Sequence, residues 1–458
     1  MRAMKPRTKP ITISEPVRFH DPLPEAVDVA VIGAGVIGIC AALEMARRGL
    51  SVLVAEKGRV AGEQSSRNWG WIRQHGRDEA ELPVMMEATR LWEEHDRATG
   101  GKTGFTRGGI MYLASSREKL DERAQWLEVA ERHGLDTHLL EKDDLERLFN
   151  RHSNTARGRD WAGAAFTPSD ARAEPWQAVP ALAELAQGEG VSIRENCAAR
   201  AFSSAGGKVT GIMTEDGPVR CEQVVVAAGA WSSLFLQRHG ISIPQLSVRS
   251  TVSRTAPMAE VFAGNGADET LAFRRRADGG YTISISNFHD LYLGPDAFRH
   301  FFKWLPVAKE HWHETRLKLS SPAHWPDHWF TKRRWAEDEA SPFEFCRVLE
   351  PEPEMNRQEA LRDEFAQRFP ALGKPELLNS WAGMIDAMPD VVPIVDRVPA
   401  LDGLILATGM SGHGFGIGPG FGKIIAQMAA GQTVTHDMTR FRFSRFSDGS
   451  KIVPGPAI

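Results

Sequence analysis

The stretch VDVAVIGAGVIGICAALEMARRGLSVLVAEKG, residues 27–58, constrains the fold more than any other part of the chain. Val27–Gly33 is a short apolar run ending in glycine, the pattern of a buried strand. A helical pattern follows from about Val36 to Arg48 and is closed by Gly49. Ser51–Lys57 reads as a second buried strand. Strand, tight turn, helix and strand open a doubly wound α/β domain. Gly33, Gly35 and Gly38 stand in GxGxxG spacing. The first permits the tight turn, the second lets a pyrophosphate approach the backbone, and the third lets helix and strand pack closely. The first helical turn, with Val36 and Ile37, offers unpaired N–H groups and the positive end of the helix dipole to phosphate. Glu56 closes the second strand about 20 residues on, where a carboxylate binds ribose hydroxyls, and Lys57 follows it. The segment predicts a dinucleotide site.

The rest of the chain sets the context. Its 458 residues exceed one ordinary core of roughly 100–200, so two or three lobes are expected. A net charge of −4 gives no reason to expect nucleic acid or an anionic membrane as the main partner. Cys40, Cys197, Cys221 and Cys346 lie far apart without a CxxC pair. That reads as buried reduced thiols in a cytoplasmic protein, with no disulfide framework and no metal site. The N-terminal stretch is basic and proline-rich without an apolar h-region, so no secretory signal is expected. No run of about 18 apolar residues predicts a membrane span.

Helices are expected near 79–98, 116–134 and 174–187, with a strand GIMYLA between the first two. SIRENCAARAF, GKVTGIMTEDG and CEQVVVAAGAW read as strands. LAFRRR-ADGG-YTISIS, Leu271 to Ser286, is a hairpin with Asp278-Gly279 at its turn. These blocks predict an α/β nucleotide domain built from discontinuous segments, 27–95, 162–245 and 378–445. A β-sheet-rich α+β substrate domain takes 96–161 and 246–377, with tails at 1–26 and 446–458.

No second full GxGxxG follows a strand, which argues against a separate nicotinamide domain. Two further strands end in glycine: VVVAAGAW, with Ala228, Gly229 and Trp231, and LILATGMSGHGFG, with Gly409, Gly412, His413, Gly414, Phe415 and Gly416. The second enters a helix whose N–H groups suit the flavin edge where negative charge develops on reduction. A third glycine loop of this kind favours FAD over NAD.

Taken together, DVAVIGAGVIGICAALEMARRG, VLVAEKG, VVVAAGAWS, WAGMIDAMPDVVPIV and TGMSGHGFGIGPGFGK resemble the D-amino-acid oxidase-like superfamily of FAD-dependent amine oxidoreductases. AGEQSSR, ENCAAR, FRRRADGGY, EASPFE and WAGMIDAMPD are especially similar to the membrane-bound bacterial L-amino acid deaminases, although the apolar anchor of those enzymes has no counterpart here. The resemblance implies oxidative deamination of an amino acid, L-configured by preference, to a 2-oxo acid, with the carboxylate held by arginine. Related oxidases act on D-amino acids or secondary amines, some as subunits of a complex. FAD is expected to be noncovalent, because the cysteine and histidine that tether it in some relatives are missing from WAGMIDAMPD and AGEQSS. Oxygen and a quinone or soluble carrier are both open as electron acceptors, and a homo-oligomer is open as well.

Site residues follow from the same reading. Ser65, Ser66, Arg67, Asn68, Trp69 and Gly70 extend the cofactor site beyond Glu56, with Ala198, Gly383 and Asp386 from the matching segments. Arg73, Gln74 and His75 continue along the flavin into the substrate cavity. The resemblance selects Arg274 as the carboxylate anchor; alternation alone places Arg274 and Arg276 on one strand face and favours a solvated, charge-protected edge strand. His413 is either structural or polarises the flavin, and Asp386 either pairs with a cation or braces a loop. Residues 301–335 carry Trp304, Trp312, Trp325, Trp329 and Trp335 and read as a membrane-surface patch, a dimer contact, a lid or plain packing.

Overall fold

The computed structural model describes residues 8–149, 161–286, 289–310 and 315–455. The first strand, Ala26–Ile32, lies between Val52–Ala55 and Gly217–Val226 and is parallel to both. Ser192–Arg194 extends this parallel core on one side and Leu404–Thr408 on the other. An antiparallel pair, Ala199–Ala205 and Lys208–Thr214, and the strand Ile394–Arg397 complete an eight-stranded sheet. All of Val52–Ala55 and Leu404–Thr408 is buried, as strands covered on both faces require.

The turn after the first strand depends on two missing side chains. Gly33 has φ +103°, and a Cβ there would stand 2.6 Å from the Ala227 carbonyl oxygen. A Cβ on Gly38 would stand 2.0 Å from the Gly33 carbonyl oxygen. Any larger residue would push the helix Val36–Ala46 off the sheet. That helix packs on the C-terminal helix Gly414–Ala429 and on Pro175–Gly188, and Ile39, Leu43, Leu182, Ile417, Phe421 and Ile425 are buried in one cluster between them.

The second sheet has ten strands around Leu246–Thr255. It includes the predicted hairpin, Leu271–Arg275 against Tyr281–Ile285, with Arg274 opposite Thr282. Its core holds Phe149, Phe273, Phe365 and Phe369. Leu377–Ala387, read from sequence with the nucleotide segments, hydrogen-bonds along Leu246–Thr255, and Gly163–Thr167 also joins this sheet. SIRENCAARAF is not one strand. Asn196, at φ +51°, breaks it, so that Ser192–Arg194 runs parallel in the core and Ala199–Ala205 turns into the antiparallel pair.

In the tryptophan-rich segment, Trp325 and Trp335 are buried and Trp304 donates to the Pro244 carbonyl at 3.0 Å. Trp312 lies outside the described residues. Trp329 is 53% exposed, with Phe302 at 82% and Phe330 at 91%. Among the described residues no helix is long and apolar enough to cross a membrane. All four cysteines are buried free thiols.

Candidate active site

The carboxyl ends of the parallel strands, at Ile32, Ala55, Ala227 and Ala407, open into a cavity of about 760 Å³. Ligands bind open α/β sheets at this end. The far wall comes from the second sheet and from the helical stretches Arg117–Ala124 and Trp126–Arg132.

At one end Gly33, Gly35, Val36 and Ile37 line the cavity with Glu56, Ser65, Arg67, Asn68 and Trp69. Ser65 Oγ accepts a hydrogen bond from the Val36 N–H at 2.9 Å. Glu56 accepts from the Ala34 and Gly58 N–H groups, each at 2.8 Å, and burial pushes its carboxyl up to about 7. Asn68 donates to the Gln64 and Ser65 carbonyls and accepts from the Gly70 N–H. Arg67 donates through Nη2 to the Ile11 carbonyl, while its buried Nε has no partner. Lys57 reaches the cavity, but its ammonium is bound to Glu63 at 2.6 Å and to two carbonyls, and stands 4.3 Å over Trp231.

Ala228, Gly229 and Trp231 line the middle of the cavity with Gly383 and Asp386. Asp386 braces the third glycine loop: its Oδ2 accepts from the Gly409 N–H at 2.8 Å and from Gln245 at 3.1 Å. Burial raises its pKa. Gly412, His413, Gly414 and Phe415 then enter the C-terminal helix along the cavity wall.

Beside this loop lies a buried charged cluster. Arg73 Nη2 meets His413 Nε2 at 3.0 Å, and His413 Nδ1 stands 3.3 Å from Glu81. Glu81 is 0% exposed and also faces Arg77 at 3.6 Å. Burial works against its charge, yet His413, Arg77 and Arg73 hold its carboxyl below the usual range. Burial and then Arg77 push His413 down to about 4. A guanidinium only donates, so His413 Nε2 accepts and the ring carries its proton on Nδ1, towards Glu81. Arg73 also donates through Nη1 to the His75 and Gly76 carbonyls. Three of its N–H bonds are therefore taken, and Nε–H and one Nη2–H are uncommitted among the described residues.

The structure corrects several sequence expectations. Arg274 does not line the cavity. It is 0% exposed, grips Glu174 with both terminal nitrogens at 3.0 and 3.1 Å, and sits behind Gly70, where a Cβ would stand 3.2 Å from its Cζ. The strand face shared by Arg274 and Arg276 turns inward onto Trp176, which lies under both guanidiniums. Gln74 also points away, its amide and backbone bound to Ser169 and Asp170. Ser66 Oγ accepts from the Ile11 N–H, and Ala198 N–H is held by Glu215. Gly38, Gly70, Gly409 and Gly416 stand behind the wall; the last gives its carbonyl to the buried Trp92 indole.

Sequence reading missed Tyr112, Arg123 and Trp126. All three line the cavity with His75, whose ring lies 4.5 Å from Tyr112 and 5.5 Å from Trp126. Alternation held the signal for Tyr112: Met111 and Leu113 go to the second core, so Tyr112 goes to the other face. Helical spacing held the signal for Arg123 and Trp126, three residues apart on one face.

The sequence profile of the FAD dependent oxidoreductase (DAO) family matches residues 28–428. The chain belongs to that family.

Several known proteins are similar to this chain. An L-amino acid deaminase from Proteus myxofaciens, solved with anthranilate, superposes with a TM-score of 0.88 at 27% identity, covering 96% of this chain and 97% of that one. An N-methyl-L-tryptophan oxidase from Citrobacter koseri is 24% identical over 92% of this chain and 99% of its own. A formaldehyde-forming 4-methylaminobutanoate oxidase from Paenarthrobacter nicotinovorans is 27% identical over 58% of this chain, which there spans only 31% of the relative's length. As an FAD dependent oxidoreductase the chain needs a dinucleotide cradle, and the residues present fit one. Gly33 and Gly35 put no side chain of their own at the helix N-terminus, where Ser65 binds the Val36 N–H, Glu56 offers acceptors, and Arg67 keeps a buried donor without a partner.

Proposed function

We propose that the protein oxidises the C–N bond of an amino acid, giving an imine that water hydrolyses to a 2-oxo acid and ammonia. The observation that carries this reading is Arg73. It stands at the cavity with Nε–H and one Nη2–H uncommitted, and the flat edge of a guanidinium matches a carboxylate. His413, neutral and anchored on Glu81, keeps Arg73 in place without adding a second positive charge.

Gly33, Gly35, Val36, Glu56, Ser65 and Arg67 would hold the pyrophosphate and ribose side of FAD, and the loop of Gly412 to Phe415 would face its ring. Bound there, FAD supplies the two-electron acceptor that takes the hydride equivalent from the carbon bearing nitrogen. Trp69, Trp71 and Tyr112 wall the substrate side with aromatic surface and exclude water from the reacting carbon. No acid–base triad is needed. Noncovalent binding is supported by the lining, which contains none of the four cysteines; flavin released into the supernatant by acid precipitation tests it.

Oxidation of an N-alkyl amino acid is the second reading, favoured by the likeness to the N-methyl-L-tryptophan oxidase. Anaerobic bleaching of the flavin by L-, D- and N-alkyl amino acids separates the two, and re-oxidation by air or by a quinone then gives the acceptor. Bleaching by none of them would overturn both. Buried free thiols support a reducing, cytoplasmic setting, and the exposed Phe302, Trp329 and Phe330 support a peripheral membrane contact that liposome flotation tests.

A further inference from the structure

The helical segment 117–132 carries four cations, Arg117, Lys119, Arg123 and Arg132. Three are neutralised within the fold: Arg117 by Asp121 and Glu141, Lys119 by Glu122, and Arg132 by Glu79. Arg123 lines the cavity and has no hydrogen bond or ion pair among the described residues. Its Nε is buried, so the missing acceptor is costly. Its Cζ lies 5.6 Å from the centre of the Tyr112 ring, and Arg73 Cζ lies 6.0 Å from the same centre.

The two guanidiniums therefore share one aromatic support. Resting on a ring face orients a guanidinium while leaving its N–H groups for a carboxylate. His75, packed against that ring, adds no charge of its own; burial, then Arg73 and Arg123, push it down to about 3. The carboxylates nearby do not serve Arg123. Glu122 is held by Lys119, Asp268 by Arg368, and Glu269 accepts from the Ser115 N–H.

We propose that Arg123 and Tyr112 form a second anion subsite, and that the preferred substrate is a dicarboxylate: an amino acid whose side chain or N-substituent ends in a carboxylate. This rests on Arg73 holding the α-carboxylate. Arg123 then takes the distal one, and the distal charge selects the substrate.

The test uses the flavin-loaded full chain and pairs of equal shape. L-Glutamate is compared with L-glutamine, and N-(carboxymethyl)-L-alanine with its amide. The expected result is a kcat/KM at least tenfold higher for the acid in one pair, which also tells side-chain from N-linked carboxylate. Arg123→Gln should bring the acid-to-neutral ratio of kcat/KM close to one, and Arg123→Lys should keep part of the preference. Should Arg123→Gln lose flavin, the Arg123→Lys ratio is read instead. No acid preference in the unaltered protein would overturn the proposal. So would an equal loss for acid and neutral substrates, since Arg123 would then belong to the α-carboxylate site. Turnover of neutral amino acids without acid preference leaves the amino-acid reading intact; flavin reduction by no amino acid removes both.

Discussion

Arg274 and Arg73, both read from the sequence as substrate-side arginines, have opposite fates. Arg274 sits on a hairpin strand whose polar face folds inward, and Glu174 consumes its fork. Arg73 lines the cavity, steadied by two carbonyls and His413, with part of its fork left over. Two glutamates repeat the contrast. Burial presses the Glu174 carboxyl upward, but Arg274 prevails and holds it below the usual range. Burial of Glu56 prevails over Lys57 and the two backbone donors, and its carboxyl rises to about 7. A charge paired inside the fold supports stability, and one left short of partners at a cavity is available to a ligand.

The largest expected effect breaks the closed pair. Arg274→Met leaves Glu174 buried without its main countercharge and should cost about 3–5 kcal/mol of stability, read by denaturant unfolding. KM values of the folded fraction should stay unchanged across substrates; a selective rise for carboxylate substrates would return the anchoring role to Arg274. Arg73→Gln should do the reverse. Losing a charge-assisted pair of about 1.5–3 kcal/mol raises KM for amino acids about 10–100-fold, with flavin content and unfolding midpoint little altered.

Glu56 gives a pH signature. On the proposed assignment, ribose hydroxyls would donate to the ionised Glu56 carboxylate, so FAD binding would favour the deprotonated form and lower its pKa. Affinity of the apoprotein for FAD should fall as pH drops below about 7, by up to about tenfold per unit, and Glu56→Gln should flatten the profile. Titration of apoprotein by flavin fluorescence reads it. The Glu174 carboxyl is shifted the other way, downward, and what it contributes is stability. Its stabilisation is fully present above the ordinary carboxylate pKa and is lost as pH falls through its lowered value. The smallest effect is at Gln74, whose amide is bound to Ser169 and Asp170. Gln74→Ala should cost about 0.5–1.5 kcal/mol in stability and leave KM and kcat unchanged.

Much of the cavity wall at the carboxyl ends of the parallel strands was legible in the sequence because it is written in local pattern. Gly33, Gly35, Gly38 and Glu56 are fixed by spacing along one strand–helix–strand unit, and the backbone there has one way to turn. The loop Gly412 to Phe415 was legible for the same reason. The substrate half was not. Alternation correctly paired Arg274 with Arg276, yet a strand has two faces and nothing local says which meets the cavity. Gln74 and His75 are neighbours with opposite orientations, the first tied to Asp170 and the second lining the cavity. Nothing in the local pattern sets Arg123 apart from Arg117, Lys119 and Arg132; the fold alone leaves it without a hydrogen bond or ion pair among the described residues.

By itself, then, the sequence determined the dinucleotide unit, the hairpin at Asp278-Gly279 and the three glycine-ended strands, because each depends on residues a few positions apart. Only the tertiary structure decided which arginines face the cavity. That choice rests on Glu174, His413 and Tyr112, which meet Arg274, Arg73 and Arg123 only in the folded chain. Pairing between distant charges has no local spacing to betray it.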